Sequence, residues 1–311
     1  MKAYLLSAAV LLLLTVGFHQ RIFGQGTTAA KGFTGKEVVS VWHWGSQTEP
    51  YGINHVVVDS SKEAVVLASY KKNSITRVYG GYLRMPSTPD KKEAMQRWLK
   101  KLHTAGIQPV YLIGSPKWVY PQYRKDMIAY ITNNYILYNQ SVKPDERLVG
   151  VHLDIEPHGL EEWSKATKER KREIMGLLKE AYRDARKVLA DSGMGGDEIM
   201  ADIPFWYDSK AAVGWTSDED RKAWFADVTN YLNGFSIMNY QNSSVAMLID
   251  RAKWERDNFK GVIEIGLDSD DVGTTWKTKE EFRQAAIQII LKTKAPIAIH
   301  RYVNVMHLQE H

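Results

Sequence analysis

Short apolar runs and longer amphipathic stretches alternate along the chain after residue 38. The runs predict strands over 38–44, 75–80, 108–113, 148–157, 199–203, 234–240, 261–268 and 296–302, with a short extra strand at 56–58. Between them the pattern turns helical, over about 61–72, 89–103, 123–138, 160–189, 217–232, 245–258 and 278–292. Two helices announce their starts. Ser217-Asp-Glu-Asp and Thr278-Lys-Glu-Glu each place a capping hydroxyl before a first turn of acids. Strict β/α alternation implies a parallel sheet with right-handed crossovers. Eight such units at this length predict an α/β fold of one kind, a parallel eight-stranded (β/α)8 TIM barrel over 38–311.

The fourth run carries the clearest pattern. Val149, Val151, Leu153 and Ile155 share one face of a strand, and Gly150, His152, Asp154 and Glu156 share the other. A strand apolar outward and acidic inward, with its last acid before a proline, suits the catalytic rim of a barrel. Phasing the other strands by their oily faces turns Asp202, Tyr240, Glu264, Asp268 and His300 inward too, with Tyr302 in phase with His300. Asn239 falls on the opposite face of the sixth strand and sits beside Tyr240 at the strand end. Carboxylates crowded around Glu156 raise the pKa of a general acid, as work near neutral pH requires. Glu264, four residues below Asp268, is expected to be a buried structural partner of Arg77.

Composition adds little and excludes much. The chain has 311 residues, 44% of them hydrophobic, enough for one large core. Its net charge of +5, part of it from Lys2 and Arg21, is too weak to argue for nucleic acid. No cysteine is present, which removes disulfides, thiolate metal sites and a cysteine nucleophile. Lys2 precedes an apolar run over 3–18, short for a bilayer, so residues 1–24 are expected to be a secretory signal peptide and 25–37 a linker. The mature protein is then secreted or periplasmic, without stable membrane insertion. Ten Trp and 16 Tyr supply flat faces for sugars, and Trp42, Trp44, Trp118 and Trp206 are the candidates.

The inward set on the fourth strand resembles the signature of the chitinase-like glycoside hydrolases of family 18, Asp-x-x-Asp-x-Asp-x-Glu. Met238-Asn-Tyr240 resembles their sixth-strand Met-x-Tyr-Asp, and Ile265-Gly-Leu267 their seventh-strand segment. The resemblance implies Glu156 as general acid, Asp154 as the group that orients a substrate acetamido nucleophile, and Tyr240 as its hydrogen-bond donor. Val149, His152 and Gln241 stand where that signature has acids. Glu156-Pro157 with Glu264 also resembles the acid/base and nucleophile pair of the retaining glycosidases of clan A.

These residues point to a glycoside hydrolase acting on a polysaccharide or oligosaccharide. Glu156, Asp154, Tyr240 and Asp268 are expected to be catalytic. His152, Asp202, Asn239, His300, Tyr302 and the four tryptophans are expected to bind substrate. No cofactor is required. Two alternatives stand beside this one. A non-catalytic glycan-binding barrel is motivated by the missing signature acids. A metal-dependent hydrolase would use His152, Asp154, Asp202, Asp268 and His300 as ligands.

Overall fold

The computed structural model describes residues 37–46, 48–241 and 244–307, all within one compact unit, Gly32–His311. The expected signal peptide lies outside the described residues, as does the linker except for Glu37.

Eight parallel strands close in sequence order into a barrel. They are β1 (Val39–His43), β2 (Arg77–Gly80), β3 (Gln108–Ile113), β4 (Gly150–Leu153), β5 (Glu198–Pro204), β6 (Gly234–Met238), β7 (Val262–Asp268) and β8 (Ile297–His300). β1 pairs with β8 as well as with β2, which closes the sheet. The period-2 pattern sorts the side chains. Val151 and Leu153 of β4 join the apolar layer beneath the helices, as do Ile297 and Ile299 of β8. Trp42, Tyr79, Val110, Leu112 and Ala298 pack against one another inside the barrel.

The helices follow the strands. α1 (Ile53–Val58), α2 (Ser60–Lys72) and α3 (Lys92–Thr104) come first. α4 (Pro121–Ile131) runs through a π-helical turn, Thr132–Ile136, into α5 (Leu137–Gln140). α6 (Lys168–Asp191), α7 (Lys210–Val213) and α8 (Asp218–Val228) flank β5, and α9 (Val245–Arg251) and α10 (Lys253–Asn258) precede β7. α11 (Lys279–Thr293) and α12 (Tyr302–His307) flank β8. The expected caps are in place. Ser217 Oγ accepts from Asp220 N at 3.1 Å and Thr278 Oγ1 from Glu281 N at 3.1 Å.

Several boundaries differ from expectation. The run 56–58 is helical, the end of α1. Val56 and Val57 are buried and Val58 is exposed, a split that three identical residues cannot reveal by alternation. The helix expected from 160 starts at Lys168. Pro157–Gly159 and Trp163–Lys165 form separate 3-10 turns, and Thr167 caps α6 through Arg170 N at 3.2 Å. The helix expected over 245–258 breaks at Ala252.

The floor of the barrel also differs. Glu264 is fully buried and accepts from three hydroxyls, Ser40 at 2.7 Å, Tyr79 at 2.5 Å and Ser236 at 2.6 Å. Its expected partner, Arg77, bonds elsewhere. Arg77 opens β2, beside Gln108 opening β3 and Glu198 opening β5. The guanidinium donates to Gln108 Oε1 at 2.9 and 3.0 Å and pairs with Glu198 at 2.9 Å. These three residues form a polar belt at the strands' N-terminal end, and among the described residues the hydrogen bonds to Glu264 come from hydroxyls, while Arg77 acts on it only through its charge.

Candidate active site

β4 ends at Leu153, but its backbone holds its course one residue further, where Asp154 N donates to Ile113 O at 2.8 Å. The chain then turns. Glu156 adopts φ −107° and ψ 81°, Pro157 opens a 3-10 turn, and Gly159 N donates to Glu156 O at 2.8 Å. This exit packs so closely on the exit of β3 that a Cβ on Gly114 would stand 2.0 Å from Asp154 O. Glu156 reaches the mouth of the barrel with 33% of its side chain exposed, its Oε1 3.4 Å from His158 Nε2. His158 Nδ1 lies 3.2 Å from the Tyr207 hydroxyl, and its ring meets Trp206 edge-on at 5.3 Å. His158 and Tyr207 lie outside the set expected from the sequence, although Tyr207 directly follows Trp206 and His158 stands two residues beyond Glu156. Their side chains meet only through the fold.

Beneath the mouth lies a buried layer. Asp202 Oδ1 sits 2.7 Å from His152 Nε2, and its Oδ2 accepts from the Trp42 indole N–H at 3.1 Å. The His152 ring lies over Tyr79 at 3.8 Å. Burial lowers the His152 pKa to about 3, so the imidazole is neutral. Burial also pushes Asp202 well above the usual carboxylate range, and the charges of Glu156 and Glu264 add to it. Asp154 is raised likewise, first by burial, then by the charges of Asp202 and Glu156 and by hydrogen bonding with Asp202. Two carboxyls can bond only if a proton lies between them, which fits both shifts. Among the described residues, His152 Nδ1 and Asp154 Oδ1 are buried without a partner.

The opposite rim holds Asp268, His300 and Tyr240. Asp268 Oδ1 lies 3.3 Å from His300 Nδ1 and accepts from Asp270 N at 3.0 Å. Tyr240 stacks on His300 at 5.3 Å and 26°. Burial raises its hydroxyl pKa, reinforced by Asp202, Asp268, Asp154 and Glu156.

Two expected site residues lie apart from this mouth, and a third, Trp42, is enclosed in the layer beneath it. Asn239 alternates outward from Tyr240 and donates to Leu248 O on α9 at 2.7 Å. Tyr302 follows the end of β8 and packs outside the barrel, against His43 at 4.2 Å and Tyr70 at 4.9 Å. Trp42 is 1% exposed, with Tyr79, His152 and His300 around its ring, so it has no face to offer a sugar. Trp44 and Trp118 instead line a groove beside the mouth, and Trp206 is half-buried near Glu156. Of the five residues expected as metal ligands, His152 pairs with Asp202 and His300 with Asp268. Among the described residues no three of His, Asp and Glu form a group that could hold an ion. The clan A pairing fares no better, because Glu264 is enclosed by its three hydroxyls on the barrel floor.

The architecture has known counterparts. A family 18 chitinase from Pseudoalteromonas aurantia superposes with a TM-score of 0.56 at 11% identity, over 86% of this chain and 94% of its own. An exo-β-1,4-mannosidase from Opitutaceae bacterium strain TAV5 gives 0.54 at 13%, over 88% of this chain and 55% of its own. This chain thus spans about half the mannosidase's length. A hyperthermophilic β-glucosidase gives 0.50 at 10%, over 86% and 90%. What these structures share with the chain is the (β/α)8 barrel. At such identities the likeness extends to the fold alone. No protein-family model matches the chain, and no curated protein matches it in sequence. Among the described residues no helix is long and apolar enough to cross a membrane.

Proposed function

We propose that this chain is a glycoside hydrolase with Glu156 as its general acid. The observation that carries the reading is the setting of Glu156. It is a part-exposed carboxyl at the C-terminal mouth of a barrel, beside His158 and next to the buried Asp154. That end of the barrel is where such folds place their chemistry. The barrel fold shared with chitinase, mannosidase and glucosidase supports a carbohydrate-active role.

In this mechanism Glu156 gives its proton to the glycosidic oxygen. The bond from that oxygen to the anomeric carbon breaks, and its electron pair stays with the leaving sugar. Positive charge develops on the anomeric carbon and ring oxygen, facing Asp268. Water adds to the anomeric carbon and gives its proton to Asp268, which releases it to solvent as Glu156 regains one. Asp154, whose proton burial retains, donates to the bound sugar or to Asp202. Tyr240 keeps its hydroxyl proton under the same burial and charge, so it is a donor throughout. His158 orients Glu156, and the neutral His152–Asp202 pair fixes the layer below.

The test is product release from a panel of glycans that includes amino-sugar polymers, with parent and Glu156→Gln side by side, with and without chelator. Loss of a general acid lowers turnover by about 10²–10⁴-fold. Equal release by both proteins overturns the assignment, and chelator-sensitive release moves a metal ion to the front. Binding by the parent without turnover favours a glycan-binding barrel, which the neutral His152 at a signature acid position would suit. We place the activity outside the cytoplasm, on the expected signal peptide over 1–24. The N-terminal mass of exported protein checks this.

A further inference from the structure

The mouth does not end at Glu156. A groove of about 780 Å³ opens beside it, within the size range of small-ligand sites. Its inner end is Leu112 and Gly114, the latter packed on the backbone of Asp154. Trp44 and Trp118 line it further along, followed by Tyr130 with the Arg84 guanidinium over its ring at 5.3 Å. A second hollow of about 630 Å³ shares Ser87 and Asn133 with the first and carries Lys92.

The loop that presents Arg84 is held in place. Leu83 sits at φ +52°, a conformation that costs a branched side chain energy, and its carbonyl accepts from the Tyr111 hydroxyl of β3 at 2.5 Å. The Arg84 carbonyl accepts from Ser87 Oγ at 3.1 Å and Thr88 Oγ1 at 2.7 Å. Asn134, in the π-helical turn, accepts from Ser87 N at 3.3 Å. Among the described residues neither Arg84 nor Lys92 has an ion-pair partner, although Asp126 lines the same groove as Arg84. Arg84 in the first hollow and Lys92 in the second are thus cations without an ion-pair partner, and one carboxylate, Asp126, lines the first beside aromatic rings and amides.

From this we infer that the groove binds an acidic oligosaccharide, one whose sugars carry carboxylates, continuing away from the catalytic mouth. The rings supply apolar faces for the sugars. Arg84 offers a planar fork that matches a carboxylate, and Lys92 offers a second charge further out. Asp126 accepts hydroxyls. The inference rests on the glycosidase reading and narrows its substrate to uronate-bearing chains.

The experiment measures binding separately from turnover. Glu156→Gln protein is titrated calorimetrically with tetragalacturonate, an alginate tetrasaccharide and hyaluronan tetrasaccharide, and with cellotetraose and xylotetraose as neutral probes. At least one acidic probe is expected to bind roughly tenfold or more tightly than both neutral ones. The double substitution Arg84→Gln with Lys92→Gln should abolish that preference while leaving neutral binding in place. Asp126→Asn should strengthen acidic binding, an opposite sign that mere loss of structure would not produce. Equal binding of acidic and neutral probes, no binding of any probe, or a preference that survives the double substitution overturns the inference. The glycosidase reading fails separately, if the parent releases no product from any glycan in the panel.

Discussion

Gly114→Ala tests the idea that the exit of β3 sets the position of the site. The added Cβ would stand 2.0 Å from Asp154 O and 2.7 Å from its carbonyl carbon, and real Cβ atoms essentially never approach below 3.0 Å. The two exits must therefore separate by about 1 Å, because both partners are backbone and neither can rotate away. That movement strains the Asp154 N to Ile113 O bond and carries Asp154 and Glu156 with it. Overpacking of this kind costs about 1–3 kcal/mol, and a domain of this size loses roughly 2–4 °C of melting temperature per kcal/mol. A displacement of about 1 Å at the reacting groups costs about 10²-fold in turnover. Gly176→Ala is the control. It lies within α6 with nothing within 4 Å of its Cβ position, and it should raise stability by up to about 1 kcal/mol through helix propensity. Thermal melts followed by circular dichroism, with turnover on whichever glycan the panel identifies, read both variants. If Gly114→Ala melts with the parent and keeps full turnover, the close approach does not position the site.

Three further outcomes follow from the buried polar groups. Glu264→Ala strands the Ser40, Tyr79 and Ser236 hydroxyls and should cost more than ~3 kcal/mol in urea unfolding. Glu264→Gln keeps the shape and should cost clearly less, and equal losses would contradict the hydroxyl cage. Burial lowers His43 from 6.5 to about 3, so the unfolded chain takes up a proton that the fold refuses between those values. Its stabilising contribution is full above about pH 6.5 and is lost as pH falls towards 3, at about 1.4 kcal/mol per pH unit. Subtracting urea unfolding energies of His43→Gln from those of the parent at pH 4.5, 5.5 and 6.5 should show that slope, and a flat difference refutes it. Tyr240→Phe should leave the melting temperature within a few degrees and lower turnover by about tenfold or more, since it removes one donor from the mouth. Unchanged turnover would take Tyr240 out of the mechanism.

The alternation of eight strands with helices, and the inward side of most strands, are legible in the chain alone. Both follow from local rules. A strand turns successive side chains to opposite faces, so the apolar set of Leu148–Pro157 names its own outward side without knowledge of any neighbour. Caps such as Ser217 and Thr278 are equally local, each needing only a backbone N–H three residues on. Whatever depends on a partner distant in the chain was set by the folded arrangement. It gave Glu264 three hydroxyls instead of Arg77, because register puts Arg77 in a belt with Gln108 and Glu198. It gave Asp202 to His152 and Trp42, and His158 to Glu156. It gave the outward-facing Asn239 a partner on α9, and it put Tyr302 outside the barrel because β8 ends before it. Arg84, Tyr130 and Lys92 share no motif and no spacing. Arg84 and Tyr130 meet along one groove, with Lys92 in the adjoining hollow, because β2 and β3 pair side by side and bring the segments that follow them together.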